Sequence, residues 1–463
     1  MRTTSENLSG ASNRIFGALR IGGAVGVLAL LVGHSAAASP TQFPTGVTIY
    51  DKALAWNTDF LFTPLSDNVH VTYLMDMQGK ILHTWPYAGF PAKFVNPALI
   101  GGKKGVVGVQ ISTIPAHSKL AQTDVVPGEP SVFLDREFGY VDWADKVLWK
   151  WGSQAPKGAA LQHHDWVRLQ NGDTLLLTND KRTVSGFGDR QVLDDVIYEV
   201  NPTGRIVWRW SALAHIKDFG FTRKQLQLVR HAKEPDVLHI NDMRVLGANK
   251  WAKAGDQRFA PDNIIISSRN ANFTAIIDKH TGAVVWRLGP NYTPRAAQGL
   301  GPDKLPRPVD QISGQHGAYM IPAGLPGAGD ILMLDNQGEA GYPPVPLSFI
   351  AGSRVLEINP LSKKIVWEYN ARDSGRMAFS FYTPFIGNAV RLPNGNTLID
   401  EGIDGRFFQV TPNGKIVWEY ISPYRERGPG APIKDRPEVT TNWVYRVQAV
   451  PASWIPGRVS GVR

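Results

Sequence analysis

The chain contains no cysteine. That absence excludes a disulfide framework, a thiolate metal site, a cysteine nucleophile and an iron–sulfur cluster together, and leaves histidine to carry any soft chemistry. There is no Lys/Arg run either, although 49 basic residues exceed 40 acidic ones and give a formal net charge of +9. A dispersed excess of that kind argues against nucleic acid as a partner and fits a modest attraction for anionic small molecules. The uncharged run Ile21–Gly33 has 13 residues, too few to span a bilayer comfortably. Arg14 and Arg20 precede it and the small residues Ala36, Ala37 and Ala38 follow, so residues 1–38 read as a signal peptide and the protein as exported and soluble. Its removal takes away Arg2, Arg14 and Arg20 against Glu6, which lowers the net charge from +9 to +7.

What remains is ordinary globular material, 43% apolar and 19% charged, in a chain that turns often, with 46 Gly and 33 Pro. Disorder and coiled coil are excluded on that composition. A length of 463 residues would suggest about three domains, but an internal repeat points to one. A hairpin ending in tryptophan returns six times, over Leu74–Trp85, Val141–Trp149, Tyr198–Trp208, Ile276–Trp286, Leu356–Trp367 and Phe408–Trp418. Asn-Pro, Thr-Gly and Asn-Gly supply its turns and β-branched alternation its strands. A second hairpin lies between copies, clearest over Asp165–Thr178 and Asn388–Ile399, with related segments from Asn241 to Ser268, Gly317 to Leu334 and, poorly, Asn96 to Ile111. Two hairpins per repeat make a propeller blade. The segment Trp443–Val450 resembles an opening strand with no closing hairpin, whereas the hairpin ending at Trp85 has only Asp59–Pro64 before it. Residues 39–463 are therefore expected to form one all-β domain, a six-bladed propeller whose C-terminal strand completes the first blade. The closing tryptophans are expected to fill the spaces between blades.

In a blade the start of the innermost strand meets the end of the second at one rim. Aligning the repeats brings His163, His164, His239, Asn241, His316 and Asn388 to that level, with Arg269, Asp335 and Asn336 at the partner ends. Such side chains do nothing for blade packing, and convergent polar groups in a cavity mark a site. The two-residue alternation of a strand turns His163 and His164 to opposite sides, so one of them is expected to face the channel. The loops Thr113–Glu137, Ile216–Val237, Asn291–Ile312 and Ala340–Ile350 are expected to shape a pocket above it.

In this order along six repeats, Tyr73–Trp85, His239–Asn241, Ser268–Arg269, Ile277–Gly282, Gln315–His316, Asp335–Asn336 and Leu392–Ile399 resemble the bacterial arylsulfate sulfotransferases. The resemblance implies a periplasmic six-bladed propeller that moves a sulfuryl group from a phenolic sulfate ester to another phenol through a sulfohistidine, with no nucleotide donor and no cofactor. It departs from the family at one point: typical members carry a catalytic histidine in a late blade, where this chain has Gly387 and Asn388 and no histidine after His316. The residues suit the chemistry, because a neutral imidazole, of ordinary pKa about 6.5, can attack sulfur and hold the group. His316 is expected as nucleophile, with His239 and Arg269 assisting at the sulfuryl oxygens. His163, His164, Asn241, Asn336 and Asn388 are expected to bind substrate, and Asp335 to orient an imidazole.

Two other classes fit parts of the pattern. Three neutral imidazoles can hold a divalent ion with an open position for water, the site of a metal-dependent hydrolase or lyase, although Arg269 at the same rim would repel it. The segment Ile277–Trp286 also resembles the repeat of quinoprotein dehydrogenases and of propeller scaffolds in outer-membrane assembly. Six repeats and no vicinal cysteines argue against the dehydrogenase, and a scaffold leaves the histidines unexplained.

Overall fold

The computed structural model describes residues 44–65, 70–114, 135–292, 311–345, 351–425 and 441–458; the expected signal peptide lies outside them. Each blade is an antiparallel sheet built in chain order. Blade two comprises β5 (Lys93–Phe94), β6 (Val107–Thr113), β7 (Asp135–Val141) and β8 (Val147–Trp151). Blade three comprises β9 (Gln162–Arg168), β10 (Thr174–Thr183), β11 (Gln191–Val200) and β12 (Ile206–Ser211). Blade four runs through β13 (Ile240–Val245), β14 (Ile264–Ser268), β15 (Phe273–Ile277) and β16 (Val284–Leu288). Blade five has β17 (His316–Met320), β18 (Ile331–Asp335), β19 (Arg354–Ile358) and β20 (Ile365–Tyr369). Blade six has β21 (Asn388–Arg391), β22 (Thr397–Glu401), β23 (Arg406–Val410) and β24 (Ile416–Ile421).

The first blade is completed as expected. Its inner strand is β25 (Val444–Val450), paired antiparallel with β2 (Asp59–Pro64), with Asp59 opposite Val450 and Pro64 opposite Val444. Outward of β2 lie β3 (Thr72–Met75) and β4 (Ile81–Trp85). A strand that the repeat does not announce, β1 (Gly46–Tyr50), pairs with β24 as a fifth strand of blade six. Both ends of the described chain thus clasp the same seam, where Asn388 adds two side-chain bonds to the backbone of Val447. In blade two the inner strand is only Lys93–Phe94, three residues earlier than the segment expected from Asn96.

Apolar side chains follow position in the blade. In β8, β12 and β20 exposure alternates, whereas β14, β17, β18 and β23 are buried at every residue. That difference is what a ring of sheets requires, since inner and middle strands are enclosed by neighbouring blades while outer strands meet solvent on one face. The cores accordingly sit between blades: Phe60, Phe62 and Met75 of blade one pack with Phe407, Trp418 and Tyr420 of blade six.

The tryptophans do more than fill. Each blade donates an indole N–H to a carbonyl in the outer turn of the next: Trp85 to Asp142, Trp149 to Pro202, Trp210 rather than the repeat-ending Trp208 to Gly282, Trp286 to Pro360, Trp367 to Pro412, and finally Trp418 to Met77. These latches run once round the ring and cross the seam, and Trp151 adds a second to Gly204 between blades two and three. A Trp286→Phe variant keeps an aromatic ring but loses the latch, and should lower the unfolding free energy by about 1–3 kcal/mol in a denaturant titration. An unchanged midpoint would leave Trp286 as filler alone.

Candidate active site

The inner strands do not begin as regular β-structure. Between β9 and β10, Gln162 faces Thr178 and Trp166 faces Leu176, so two extra residues are accommodated at His163–Asp165. Single extra residues occur between Ile240 and Asp242 and between His316 and Tyr319. Bulges re-aim side chains and are common beside active sites. Leu161, His164, His239 and Ile386 all have left-handed backbones, with φ between 49° and 58°, a conformation that non-glycine residues hold only where their surroundings impose it.

The bulge corrects one expectation. His163 and His164 do not face opposite ways; their Nδ1 atoms meet at 2.7 Å and both rings are buried. The His164 ring stands 4.6 Å from that of His239 and 5.4 Å from that of Tyr445, edge to face with both. Phe90 stacks on Tyr445 at 4.0 Å and meets His164 edge-on. On the far side, His163 Nε2 lies 3.5 Å from Asp195 Oδ1.

His239 is set up differently from the rest. Its Nδ1 donates a short hydrogen bond to Asp236 Oδ2, which fixes the tautomer with the Nε2 lone pair available. A fifth of its side chain remains exposed. Burial alone would raise the Asp236 carboxyl, but its contact with His239, the Nδ1 hydrogen bond included, together with Arg269 outweighs it and holds the group below its ordinary range. Arg269 follows the end of β14, its N–H bonded to the carbonyl of His239 at 3.0 Å and its guanidinium braced by Asn270 Oδ1 at 2.9 Å. Burial lowers its pKa, against the charges of Asp236 and Glu339.

His316 has no nitrogen to spare. Nδ1 donates to Asn336 Oδ1 at 2.8 Å and to Gly314 O at 3.0 Å, and Nε2 accepts the Ile386 N–H at 3.2 Å. Burial, then Arg269, drives its pKa well below the usual imidazole value, so it is neutral. It reaches the others through Tyr445, 6.3 Å away between ring centres.

The other rim residues take structural partners. Asn336 spends its amide on Thr383 O and Ile386 O. Asp335 was expected to orient an imidazole; instead it accepts from Ser313 N and Gln337 Nε2 and pairs with Arg354 at 2.8 Å. Asn241 donates to Gln315 O, and its own carbonyl receives Tyr445 Oη and Arg446. Asn388 belongs to the seam. Below the histidines, Asp165 binds Lys93 and Arg446, each at 2.6 Å, and Arg446 also reaches Asp242 at 2.7 Å. Burial would raise the Asp165 carboxyl, but Arg446, Lys93 and Arg244 overcome it and hold it well below its ordinary value.

Asp236, Asp195, Tyr445 and Phe90 were not singled out by sequence. Tyr445 was findable, being the strand start of a blade already assigned; Asp236 lies in a loop three residues before His239, and Asp195 in a third strand, where alignment of strand starts does not look. Among the described residues no group of three or more His, Asp and Glu side chains could hold a metal ion. Much of the loops Thr113–Glu137, Asn291–Ile312 and Ala340–Ile350 lies outside the described residues.

A closed six-bladed propeller that gathers imidazoles, a guanidinium and carboxylates at one rim defines a small-molecule enzyme more readily than a scaffold. The chain belongs to the arylsulfotransferase (ASST) family, whose profile matches residues 151–434. Membership implies a small aryl sulfate donor and a phenolic acceptor. No curated protein matches the chain. Similar solved structures include a protein of unknown function from Bacteroides caccae, 12% identical over 84% of this chain and 98% of that one, TM-score 0.43. Another is virginiamycin B lyase from Staphylococcus aureus, 12% identical over 83% of this chain and 87% of that one, TM-score 0.34.

Proposed function

We propose that the protein is an exported, periplasmic arylsulfotransferase in which His239, rather than His316, takes the sulfuryl group. Export rests on the charged and apolar pattern of residues 1–38. The observation that carries the assignment is the Asp236–His239 pair: a partly exposed imidazole, oriented by a carboxylate at Nδ1, with Arg269 close enough to act on that carboxylate. His239 Nε2 attacks sulfur, a nitrogen–sulfur bond forms, and the aryl oxygen leaves with the electron pair of the broken sulfur–oxygen bond. Arg269 stabilises the sulfuryl oxygens as charge shifts. Asp236 keeps the Nδ1 proton and steadies the positive charge that develops on the ring. An acceptor phenol then attacks the same sulfur and regenerates His239.

The test is a single exposure to 4-nitrophenyl sulfate without acceptor. About one nitrophenol per active site should be released in a burst, leaving an acid-labile sulfuryl group on the peptide carrying His239. Turnover with no burst or adduct, no release from any aryl sulfate, or a label on His316 would each overturn the assignment.

A further inference from the structure

A polar chain leads inward from His239. His239 touches His164, His164 shares a hydrogen bond with His163, and His163 faces Asp195. The last step is unfinished in the resting protein: His163 Nε2 and Asp195 Oδ2 are buried and make no hydrogen bond among the described residues. Buried polar atoms without partners are rare enough to need an explanation, and a contact that tightens only during reaction is one. The two-residue bulge and the left-handed backbone of His164 are what bring this line together.

We propose that His164, His163 and Asp195 form a proton store for the two half-reactions, with His164 as the group that protonates the departing aryl oxygen. The proposal rests on His239 as the sulfuryl carrier. When the sulfur–oxygen bond breaks, the aryl oxygen takes a proton from His164. His163 passes its Nδ1 proton to His164 Nδ1, and the Asp195 carboxyl passes its proton to His163 Nε2. The products are a phenol, sulfated His239 and ionised Asp195. In the second half-reaction the acceptor's hydroxyl proton travels back along the line as its oxygen bonds sulfur and the nitrogen–sulfur pair returns to His239. Protons balance over the cycle, and no external acid is consumed.

The environment suits the resting state that this needs. Burial, then the neighbouring Asp236, pushes the Asp195 carboxyl well above its ordinary range, which favours its protonated form. Burial and His239 bring His163 down to about 3, and burial with His239, His163, His316 and Arg446 lowers His164 as well. Asp194, next in sequence, is committed elsewhere, to Arg182 and Ser211 at 2.6 Å each.

The test compares burst rates of Asp195→Asn and wild type across aryl sulfates whose leaving phenols range from 4-nitrophenol to phenol and 4-methylphenol. With 4-nitrophenyl sulfate, whose phenoxide departs unaided, the variant should stay within a few-fold of wild type and still label His239. With phenyl and 4-methylphenyl sulfate it should fall by about 10²–10³-fold, so the leaving-group dependence steepens. If Asp195→Asn does not fold, His163→Asn carries the same expectation. Equal losses for all donors, or no loss, would overturn the store alone. A wild type that never labels His239 would overturn it together with the carrier assignment, and is told apart by the missing label.

Discussion

His239→Asn is expected to lose turnover of 4-nitrophenyl sulfate by about four orders of magnitude or more and to show neither burst nor adduct, because removing a covalent nucleophile leaves only binding and electrostatic stabilisation. Its fold should survive, since the side chain is partly exposed and its one hydrogen bond is to the adjacent loop. His316→Asn should behave in the opposite way. It strands the Ile386 N–H and the Asn336 oxygen, which costs about 1–3 kcal/mol of stability, while the adduct still forms. Single-turnover mass analysis with a melting curve for each variant separates the two. An adduct that persists in His239→Asn and vanishes in a well-folded His316→Asn would return the nucleophile to blade five.

The second large effect concerns the seam. Deleting everything after Pro437 removes β25, uncovers the Asp59–Pro64 edge, and takes away Tyr445 and Arg446 from the centre. Asp165 and Asp242 then lose their shared cation, and breaking a buried ion pair costs about 3–5 kcal/mol. That is comparable with the whole stability of a typical domain, about 5–15 kcal/mol. The truncated protein should therefore be aggregated or rapidly digested in limited proteolysis and show no burst. Arg446→Met in the full chain separates closure from charge: it should weaken the fold yet leave a closed ring that resists protease better than the truncation. A truncated chain as resistant as full length would remove the closure argument.

The six-fold ring was legible because tryptophan-ended hairpins repeat with their turns, and closure because Asp59–Pro64 needed a partner that Val444–Val450 supplied. Strands β1 and β5 were not, since five residues without a turn signal and a two-residue strand carry no periodicity. The histidine level was legible by alignment. What each rim residue does was not, because an asparagine or aspartate at a strand start can serve the neighbouring backbone as well as a ligand, as Asn336 and Asp335 do. Bulges hid the relation of His163 to His164, since strict alternation fails where extra residues are inserted.

The double clasp at the seam also sets a schedule for making the protein. Thr48 bonds Glu419 across a separation of 371 residues, and Thr58 bonds Val450 across 392. A ribosome working at about 5–20 residues per second needs roughly 20–80 s to deliver the second partner after the first. During that interval Gly46–Tyr50 awaits its partner strand and Asp59–Pro64, paired on one side with Thr72–Met75, keeps its inner edge open, while blades two to five close on their own strands as they emerge. Birth order therefore runs against assembly order: the first strands out are the last to receive their seam partners, and whatever shields those open edges in the meantime decides the yield of finished rings.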